Sequence, residues 1–292
     1  MTPSSSSRRV SAGLWVLAFT AMVVFAGYQR RTGPTHPARG RGVAPNGVEI
    51  AWRLPRSETS GTEARVAVPD PGPGVEATLV WRRYPTADAF ARVPMEAEDG
   101  WRRARLPTQP PAGKVEYHVE LAQPGASTVA LPPGGNAVLR YKGAVPAAVL
   151  VPHVLAMFLA LVVGCRTILQ ASLGGRGLRG LAWATVILLA LGGMVLGPVV
   201  QKYAFGAFWT GWPLGGDLTD TKTLVLFTGW LVAALALRPR VDASLGRRML
   251  VLAVGLGTLA VYLVPHSLRG STLDYTRTDA GTTPASAVVT GQ

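Results

Sequence analysis

The stretch VPAAVLVPHVLAMFLALVVGC, residues 145–165, contains no aspartate, glutamate, lysine or arginine. A helix rises about 1.5 Å per residue and the hydrocarbon core of a bilayer is about 30 Å thick, so about 20 apolar residues span it. Four other stretches are similarly apolar: Ala12–Tyr28, Gly180–Val200, Thr221–Leu237 and Met249–His266. Together they predict a multi-pass α-helical membrane protein of about five spans, embedded in a lipid bilayer.

The composition of the 292-residue chain favours the same class. Only 15% of the residues are charged and 48% are hydrophobic, whereas soluble domains carry roughly 25% charged residues. An ordinary soluble enzyme is therefore not expected. The single cysteine, Cys165, excludes an internal disulfide and a zinc site built from cysteines.

The net charge of +13 raises the question of a nucleic-acid partner. Residues 1–46 carry six arginines and no acidic residue, whereas residues 47–143 carry 12 basic and 11 acidic residues. The excess positive charge thus lies beside hydrophobic segments, and the pattern shows no basic face with interleaved aromatics. We expect no nucleic-acid partner.

Short loops rich in arginine indicate the orientation. The loop after the second span carries Arg166, Arg176 and Arg179, and the loop after the fourth carries Arg238, Arg240, Arg247 and Arg248. Placing these loops in the cytoplasm predicts an inner (plasma) membrane protein with a cytoplasmic tail at 1–11 and residues 29–144 outside the cytoplasm. The arginines at 30, 31, 39 and 41 oppose this orientation, but long exported segments follow the rule poorly. We expect residues 12–28 to be an uncleaved signal anchor, because no clean A-x-A site follows them.

Residues 29–46 form a Pro/Gly/Arg-rich linker, and residues 47–143 differ in kind from the rest of the chain. Seven short runs are separated by turn signals: Val48–Leu54, Ala64–Val68, Val75–Tyr84, Ala91–Met95, Trp101–Leu106, Lys114–Ala122 and Asn136–Lys142. In the sixth run, apolar residues at 115, 117, 119 and 121 alternate with polar residues at 116, 118 and 120, so one face is buried and the other wet. This pattern predicts an inserted all-β sandwich outside the cytoplasm, with Trp81, Trp101 and Tyr117 in its core.

The order TLVWRRY (78–84), VPME (93–96), DGWRRARLP (99–107) and PAGKVEYHVEL (111–121) resembles immunoglobulin-like or fibronectin type III-like modules. The resemblance covers residues 47–143 and lacks the paired cysteines of antibody-type domains. It implies a recognition or spacer module outside the membrane and assigns no catalysis.

Motifs for common enzymes are missing from the sequence. It contains no nucleotide-binding P-loop, no H-E-x-x-H zinc motif, no G-x-S-x-G nucleophile elbow and no EF-hand loop. We therefore assign no catalytic residue and do not expect an enzyme.

Two histidines stand in nearly identical strings, LVPHVL at 150–155 and LVPHSL at 263–268. His153 opens the second span and His266 closes the fifth, so both lie near the same membrane face. Tyr262 is four residues before His266 and shares its helical face. Two neutral imidazoles can ligate haem iron, or bind a transition metal together with an aspartate.

The segment at 201–222 combines many aromatic residues with two aspartates in a short stretch. Its aromatic residues are Tyr203, Phe205, Phe208, Trp209 and Trp212, followed by Asp217 and Asp220. One interpretation is an aromatic belt at the membrane surface, with Asp220 or Thr221 capping the next helix. The other is a re-entrant loop over a pocket shared with His153 and His266, with the two aspartates nearby.

These patterns predict a four-helix transmembrane domain at 144–268 with the aromatic outer loop 201–222, and a flexible C-terminal tail at 269–292. We expect an envelope protein whose sandwich binds or assembles with a protein partner. A haem- or metal-binding redox subunit and a small transporter are the alternatives.

Overall fold

A computed structural model describes residues 5–174, 177–239, 241–265 and 270–290. The described chain consists of a bundle of long helices and a β-domain, residues 38–142, inserted between the first and second of them. Residues 270–290, here called the C-terminal segment, contact both parts.

Within the described residues, five helices are long and apolar enough to cross a membrane, which confirms the predicted number of apolar helices. The first is α1 (Ser5–Thr32) and the second is α2 (Ala147–Ser172). The third comprises α3 (Leu178–Leu189), a π-helical segment (Ala190–Leu196) and α4 (Gly197–Phe205). The fourth is α5 (Leu218–Ala236) and the fifth is α6 (Leu245–Leu263).

Helix α1 extends past both ends of the predicted span at 12–28 and takes up the start of the predicted linker. A hydropathy pattern identifies only the apolar part of a helix, whereas the backbone hydrogen bonds of α1 continue through the polar residues at both of its ends. The helix ends where the backbone N–H of Gly33 donates to the carbonyl of Gln29 at 3.0 Å. Pro34 follows, and a proline disfavours the helical conformation of the residue before it.

The π-helical segment lies where three helices approach closely. A Cβ on Gly192 would lie 2.9 Å from Cβ of Ala156 in α2, and one on Gly193 would lie 2.6 Å from Cγ2 of Thr223 in α5. Only glycine permits backbones this close. The N–H of Gly197 bonds to the carbonyl of Gly192, five residues back, which is the hydrogen bond that defines a π-helix.

Arginines in the first turns of α3 and α6 donate hydrogen bonds to carbonyls at the ends of other helices. The Nε of Arg179 donates to the carbonyl of Leu237 at 3.2 Å, just beyond α5. The guanidinium of Arg248 donates to the carbonyls of Ala171 and Ser172 at 2.7 and 3.0 Å, at the end of α2. The last carbonyls of a helix have no partner within the helix and attract cations. These arginines therefore tie neighbouring helices together.

The β-domain is described in full. Its strands are β1 (Ala38–Val43), β2 (Glu49–Leu54), β3 (Ser57–Thr59), β4 (Ala64–Pro69), β5 (Glu76–Arg83), β6 (Ala91–Pro94), β7 (Glu96–Glu98), β8 (Trp101–Leu106), β9 (Lys114–Ala122), β10 (Val129–Leu131) and β11 (Ala137–Lys142). A six-stranded sheet has the order β3-β11-β9-β5-β6, with β10 also paired to β9. A three-stranded sheet has the order β4-β8-β7, and β1 pairs with β2. All pairs in the domain are antiparallel except β3 with β11.

One hydrophobic core joins these sheets. It contains residues from each of them, among them Trp52, Val66, Leu79, Tyr117 and Leu139. The alternation predicted for β9 is present, since Val115, Tyr117, Val119 and Leu121 are all buried. The side chain of Trp101, predicted for the core, is instead 42% exposed.

The predicted runs correspond to β2, β4, β5, β6, β8, β9 and β11, and the structure adds four strands. Strand β1 lies inside the predicted linker at 29–46. Its sequence ARGRGV has no hydrophobic alternation, so a strand could not be predicted there. The strand forms because β2 supplies its hydrogen-bond partners. Gly40 has no side chain, so the ring of Trp52 can pack directly against the β1 backbone, where any side chain would collide with it.

The C-terminal segment has a defined fold, where the sequence predicted a flexible tail at 269–292. It contains β12 (Thr272–Leu273), α7 (Tyr275–Asp279), a 3₁₀ turn (Pro284–Ser286) and β13 (Val288–Val289), and β12 pairs with β13. Leu273, Tyr275 and Ala287 form a small buried cluster. The segment is too short and too polar for its pattern to predict this packing.

Candidate functional site

The β-domain, the C-terminal segment and the ends of α4 and α5 meet in one region, here called the junction. The backbone N–H of Gly143 donates to the carbonyl of Ala204 at 2.9 Å. A Cβ on Gly143 would lie 2.1 Å from the carbonyl oxygen of Tyr203. Only glycine permits this approach, so the end of β11 lies directly against the end of α4.

The C-terminal segment binds the β-domain at strand β9. The hydroxyl of Tyr275 lies 3.0 Å from the backbone nitrogen of Lys114 and 2.9 Å from its carbonyl oxygen. The N–H of Leu273 donates to the carbonyl of Ala112 at 3.0 Å. Burial of the Tyr275 hydroxyl raises its pKa, so the hydroxyl keeps its proton and can both donate and accept here.

Arg83 of β5 strengthens the same contact. Its guanidinium lies 5.0 Å from the centre of the Tyr275 ring and donates to Asp279 at 2.7 Å and to Asp88 at 2.6 Å. Hydrogen bonds to the two carboxylates raise the pKa of Arg83, and the hydrogen bond from Arg83 lowers the pKa of Asp88. The pairs are partly exposed, so we expect each to stabilise the docked segment modestly.

The opposite side of the C-terminal segment contacts the helices. The N–H of Gly216 donates to the hydroxyl of Thr290 at 3.0 Å. The side-chain amide of Gln201 in α4 donates to the hydroxyls of Thr210 and Ser271 at 2.7 and 3.3 Å. The C-terminal segment thus joins the β-domain to α4 and to the loop before α5.

Asp217 and Asp220, singled out from the sequence, hold the loop before α5. The Asp217 carboxylate accepts hydrogen bonds from the N–H groups of Thr219 and Asp220 at 2.7 and 3.4 Å, so Asp217 is the N-cap. The sequence predicted Asp220 or Thr221 in that role. Asp220 instead accepts from the N–H and the hydroxyl of Thr210 at 2.7 and 3.2 Å, which closes the loop.

Three cations surround this loop. Lys222 of α5 donates to the carbonyls of Val264 and Pro265 at 2.7 and 3.2 Å, and so holds the end of α6. Lys114 of β9 is buried and donates to the hydroxyl of Thr272 at 2.5 Å. Burial, with a smaller contribution from the charge of Arg140, lowers the pKa of Lys114 to about 8.

Arg140 of β11 is the third cation. Its guanidinium lies 5.9 Å from the centre of the Phe205 ring. A Cβ on Gly270 would lie 3.1 Å from Nη1 of Arg140 and 3.6 Å from Oδ2 of Asp217, so Gly270 lies between the two charged groups. Burial lowers the pKa of Arg140, and the negative charge of Asp217 opposes that shift.

No sequence pattern pointed to Lys114, Arg140, Thr272 or Tyr275. The alternation in β9 places Lys114 on the face predicted to be wet, and Arg140 is its cross-strand partner in β11. Lys114 and Glu116, two residues further along the same face, are buried instead. Lys114 lies beside Thr272 of the C-terminal segment. Glu116 forms an ion pair with Arg82 at 2.5 Å. No pattern within the strands signals this covering.

His153, one of the two predicted ligands, is partly buried beside the π-helical segment. Its Nδ1 lies 2.8 Å from the carbonyl oxygen of Gly192. A carbonyl oxygen only accepts, so Nδ1 carries the proton and Nε2 of the neutral ring has a free lone pair.

The other members of the predicted site are not joined to His153 by any contact in the described chain. His266 lies outside the described residues. Tyr262 is buried in the bundle, and its carbonyl accepts a hydrogen bond from Gln29 of α1. Among the described residues, no group of three or more histidine, cysteine, aspartate or glutamate side chains is placed to hold a metal ion.

The predicted aromatic loop divides between a helix and a turn. Tyr203 and Phe205 belong to the last turn of α4, and Phe208, Trp209 and Trp212 follow it. Tyr203, Phe208 and Trp212 are exposed, as is Leu214. The indole N–H of Trp209 donates to the carbonyl of Trp212 at 3.2 Å. Three of the five predicted rings are therefore exposed and two are partly buried.

The sequence was compared with protein-family models and with curated proteins. No protein-family model matches the chain, and no curated protein matches its sequence.

Proposed function

We propose that this chain is an integral membrane protein of a bacterial-type cell envelope that holds its β-domain at the outer membrane face, where the domain binds or assembles with a protein partner. The observation that carries the proposal is the apolar outer surface of the helix bundle. Each of the five long helices exposes large hydrophobic side chains, among them Phe19, Phe158, Ile187, Val232 and Leu256. A soluble protein rarely exposes apolar surface on every helix of a bundle.

The two ends of the bundle support the orientation inferred from the sequence. The end next to the β-domain carries the exposed aromatic side chains of Tyr203, Phe208 and Trp212, as expected at a membrane interface. The far end carries Arg179 and Arg248 against helix carbonyls. We place the β-domain and the C-terminal segment outside the cytoplasm, and the arginine loops inside.

The strand order supports the resemblance to immunoglobulin-like modules. In such domains, the third, sixth and seventh main strands share one sheet, and the second and fifth share the other. Here β5, β9 and β11 are neighbours in one sheet, and β4 pairs with β8 in another. We therefore propose an immunoglobulin-like sandwich that serves recognition.

The outward face of β4, β8 and β7 is the surface on which we expect the partner to bind. Arg65 and Arg105 stand directly opposite each other there, and Trp101 is exposed. Like charges in a cross-strand pair are destabilising, and a fold alone does not require an exposed tryptophan. Arginine and tryptophan are enriched where proteins bind each other.

Fusions and crosslinking test this proposal in cells. A reporter active only outside the cytoplasm is expected to work after Gln292, and a reporter active only inside is expected to work at Gly174. A photo-crosslinking residue at Trp101 or Arg105 is expected to capture the same envelope protein, and one at Ala126, in the exposed turn after β9, is the control. Reversed reporters would refute the orientation, and equal capture from Ala126 would refute the binding face.

A redox or metal-binding role for His153 is the second candidate, favoured by its contact with Gly192. Backbone carbonyls commonly fix the tautomer of a metal-bound histidine through the other ring nitrogen. If Nε2 binds haem or a transition metal, His153→Ala is expected to abolish the absorption band or the metal content of purified protein. His36→Ala is the control. Wild-type protein without either signal would refute this role.

A further inference from the structure

We propose that Arg140 and Lys114 form a binding site for a phosphate group at the junction. The two residues are a direct cross-strand pair of β11 and β9, so their side chains leave the same face of the sheet. That face is turned to the C-terminal segment, since Lys114 contacts Thr272 and Arg140 lies against Gly270. Two positive charges are thus brought together where the three parts of the molecule meet.

The guanidinium of Arg140 has unused hydrogen-bonding capacity. It has five N–H donors in a planar fork. In the described part of the chain its recorded contacts are the Phe205 ring and the charge of Asp217, and no protein oxygen accepts a hydrogen bond from it. None of its nitrogen atoms belongs to the fully buried unpaired atoms of the described residues, so they keep some solvent access. A partly buried cation with unused donors is stabilised when an anion joins it.

The positive charge of Lys114 also lacks an anionic partner among the contacts of the described residues. Its ammonium is buried, it donates to one neutral hydroxyl, and its nearest recorded charge is the like charge of Arg140. An anion between the two side chains would offset both the desolvation and the repulsion. The hydroxyl of Thr272 stands beside Lys114 and can add a further hydrogen bond.

The carboxylates nearby do not neutralise this pair. Asp217 is shared, since its charge also acts on Lys222, and one of its oxygens caps α5. Asp220 bonds to Thr210 within the loop. Of the five described residues Lys114, Arg140, Lys222, Asp217 and Asp220, three are cationic and two are acidic, so this group stays positive by one charge even with both carboxylates ionised.

A phosphate group fits this chemistry. Arginine binds phosphate through two parallel N–H donors, and lysine adds a point charge. The site lies beside the last turn of α4 and the first turn of α5. In a membrane-inserted bundle, this is the level of lipid headgroups. The ligand is therefore the phosphate of an anionic lipid or a free phosphate compound, and the experiment separates the two sources.

The test uses the full-length protein, purified in detergent and stripped of lipid. Its melting temperature is followed with added dioleoylphosphatidylglycerol, with the neutral dioleoylphosphatidylcholine, and with inorganic phosphate against chloride at equal ionic strength. We expect stabilisation by the anionic lipid, by phosphate or by both, but not by the neutral lipid or by chloride. Stabilisation by the lipid alone identifies a headgroup, and stabilisation by phosphate identifies a site for the free group.

Variants assign the effect to the pair. Arg140→Gln and Lys114→Gln are each expected to weaken binding about tenfold or more, because a charge-assisted hydrogen bond is lost. Arg41→Gln removes an exposed arginine that lies 3.8 Å from Glu49, and it is expected to leave binding unchanged. Equal affinities for Arg140→Gln, Lys114→Gln and Arg41→Gln would overturn the site.

The wild-type comparison remains decisive if a variant fails to fold. Equal stabilisation by anionic and neutral lipid, together with no effect of phosphate, would overturn the proposal without any variant. The phosphate measurement does not depend on membrane insertion, so a failed reporter experiment and a failed phosphate site can be told apart.

Discussion

The hydroxyl of Tyr275 lies between the backbone N–H and the carbonyl of Lys114, a residue 161 positions earlier in the chain. Those backbone groups belong to the first residue of β9. A side chain of the C-terminal segment thus completes the hydrogen bonding of the β-domain. Because the same segment bonds to Gly216 and Gln201, we infer that it sets the position of the β-domain over the helices.

Replacing Tyr275 with phenylalanine tests this role. The change leaves the buried backbone N–H of Lys114 without the Tyr275 hydroxyl, at a cost of about 1–3 kcal/mol, whereas the Lys114 carbonyl keeps the hydrogen bond from the N–H of Tyr84 at 2.9 Å. We expect a lower melting temperature and faster proteolysis of residues 270–290. Tyr84→Phe, in the same domain, is the control, since its hydroxyl makes no recorded hydrogen bond within the described residues. Equal effects of the two variants would contradict the role of Tyr275.

Lys114 makes the stability of the docked β-domain depend on pH. Its pKa is lowered in the folded protein to about 8 from 10.5. Between these values the unfolded chain binds a proton that the folded chain has released, so the free energy of unfolding rises with pH. We expect an increment on the order of 1–3 kcal/mol between pH 8 and 10.5.

The measurement compares melting temperatures of the wild type and Lys114→Gln across pH 7 to 10. Subtracting the variant removes the contribution of other titrating groups. The advantage of the wild type is expected to grow from pH 8 upward and to stay flat below it. A constant difference, or one that falls with pH, would show that folding does not lower the pKa of Lys114.

Gly143→Ala tests the close contact between β11 and α4. The added Cβ would lie 2.1 Å from the carbonyl oxygen of Tyr203, so the β-domain has to move away from the helix. We expect a loss of about 1–3 kcal/mol, typical of overpacking, seen as a lower melting temperature. Gly135→Ala is matched, because nothing lies within 4 Å of a Cβ there. If both variants melt like the wild type, the contact is not required.

The β-domain is expected to fold as an isolated fragment when β1 is included. Residues 38–143 retain the pairing of β1 with β2 and the cover that β1 provides for Trp52, whereas the predicted domain, 47–143, lacks both. We expect a β-type circular dichroism spectrum for each, with a lower melting temperature for the shorter one. A disordered spectrum of the longer fragment would show that the domain needs the C-terminal segment or the helices.

The sequence by itself determined the parts of this protein that follow from local pattern. Long apolar runs such as residues 145–165 predicted the five helices, because a helix satisfies its own backbone hydrogen bonds and needs only apolar side chains to enter a membrane. Alternation in β9 predicted a half-buried strand for the same kind of reason, since the period of a strand is two residues.

Only the tertiary structure decided what lies on the outer surfaces of those elements. Lys114 occupies a position that the alternation in β9 assigns to water, and Arg140 is its cross-strand partner. Both face the C-terminal segment because residues more than 120 positions later in the chain lie against them. Strand β1 exists because β2 pairs with it, and the conformation of residues 270–290 depends on Tyr275 reaching β9. Contacts of this kind depend on surfaces distant in sequence, and no periodicity within either partner encodes them.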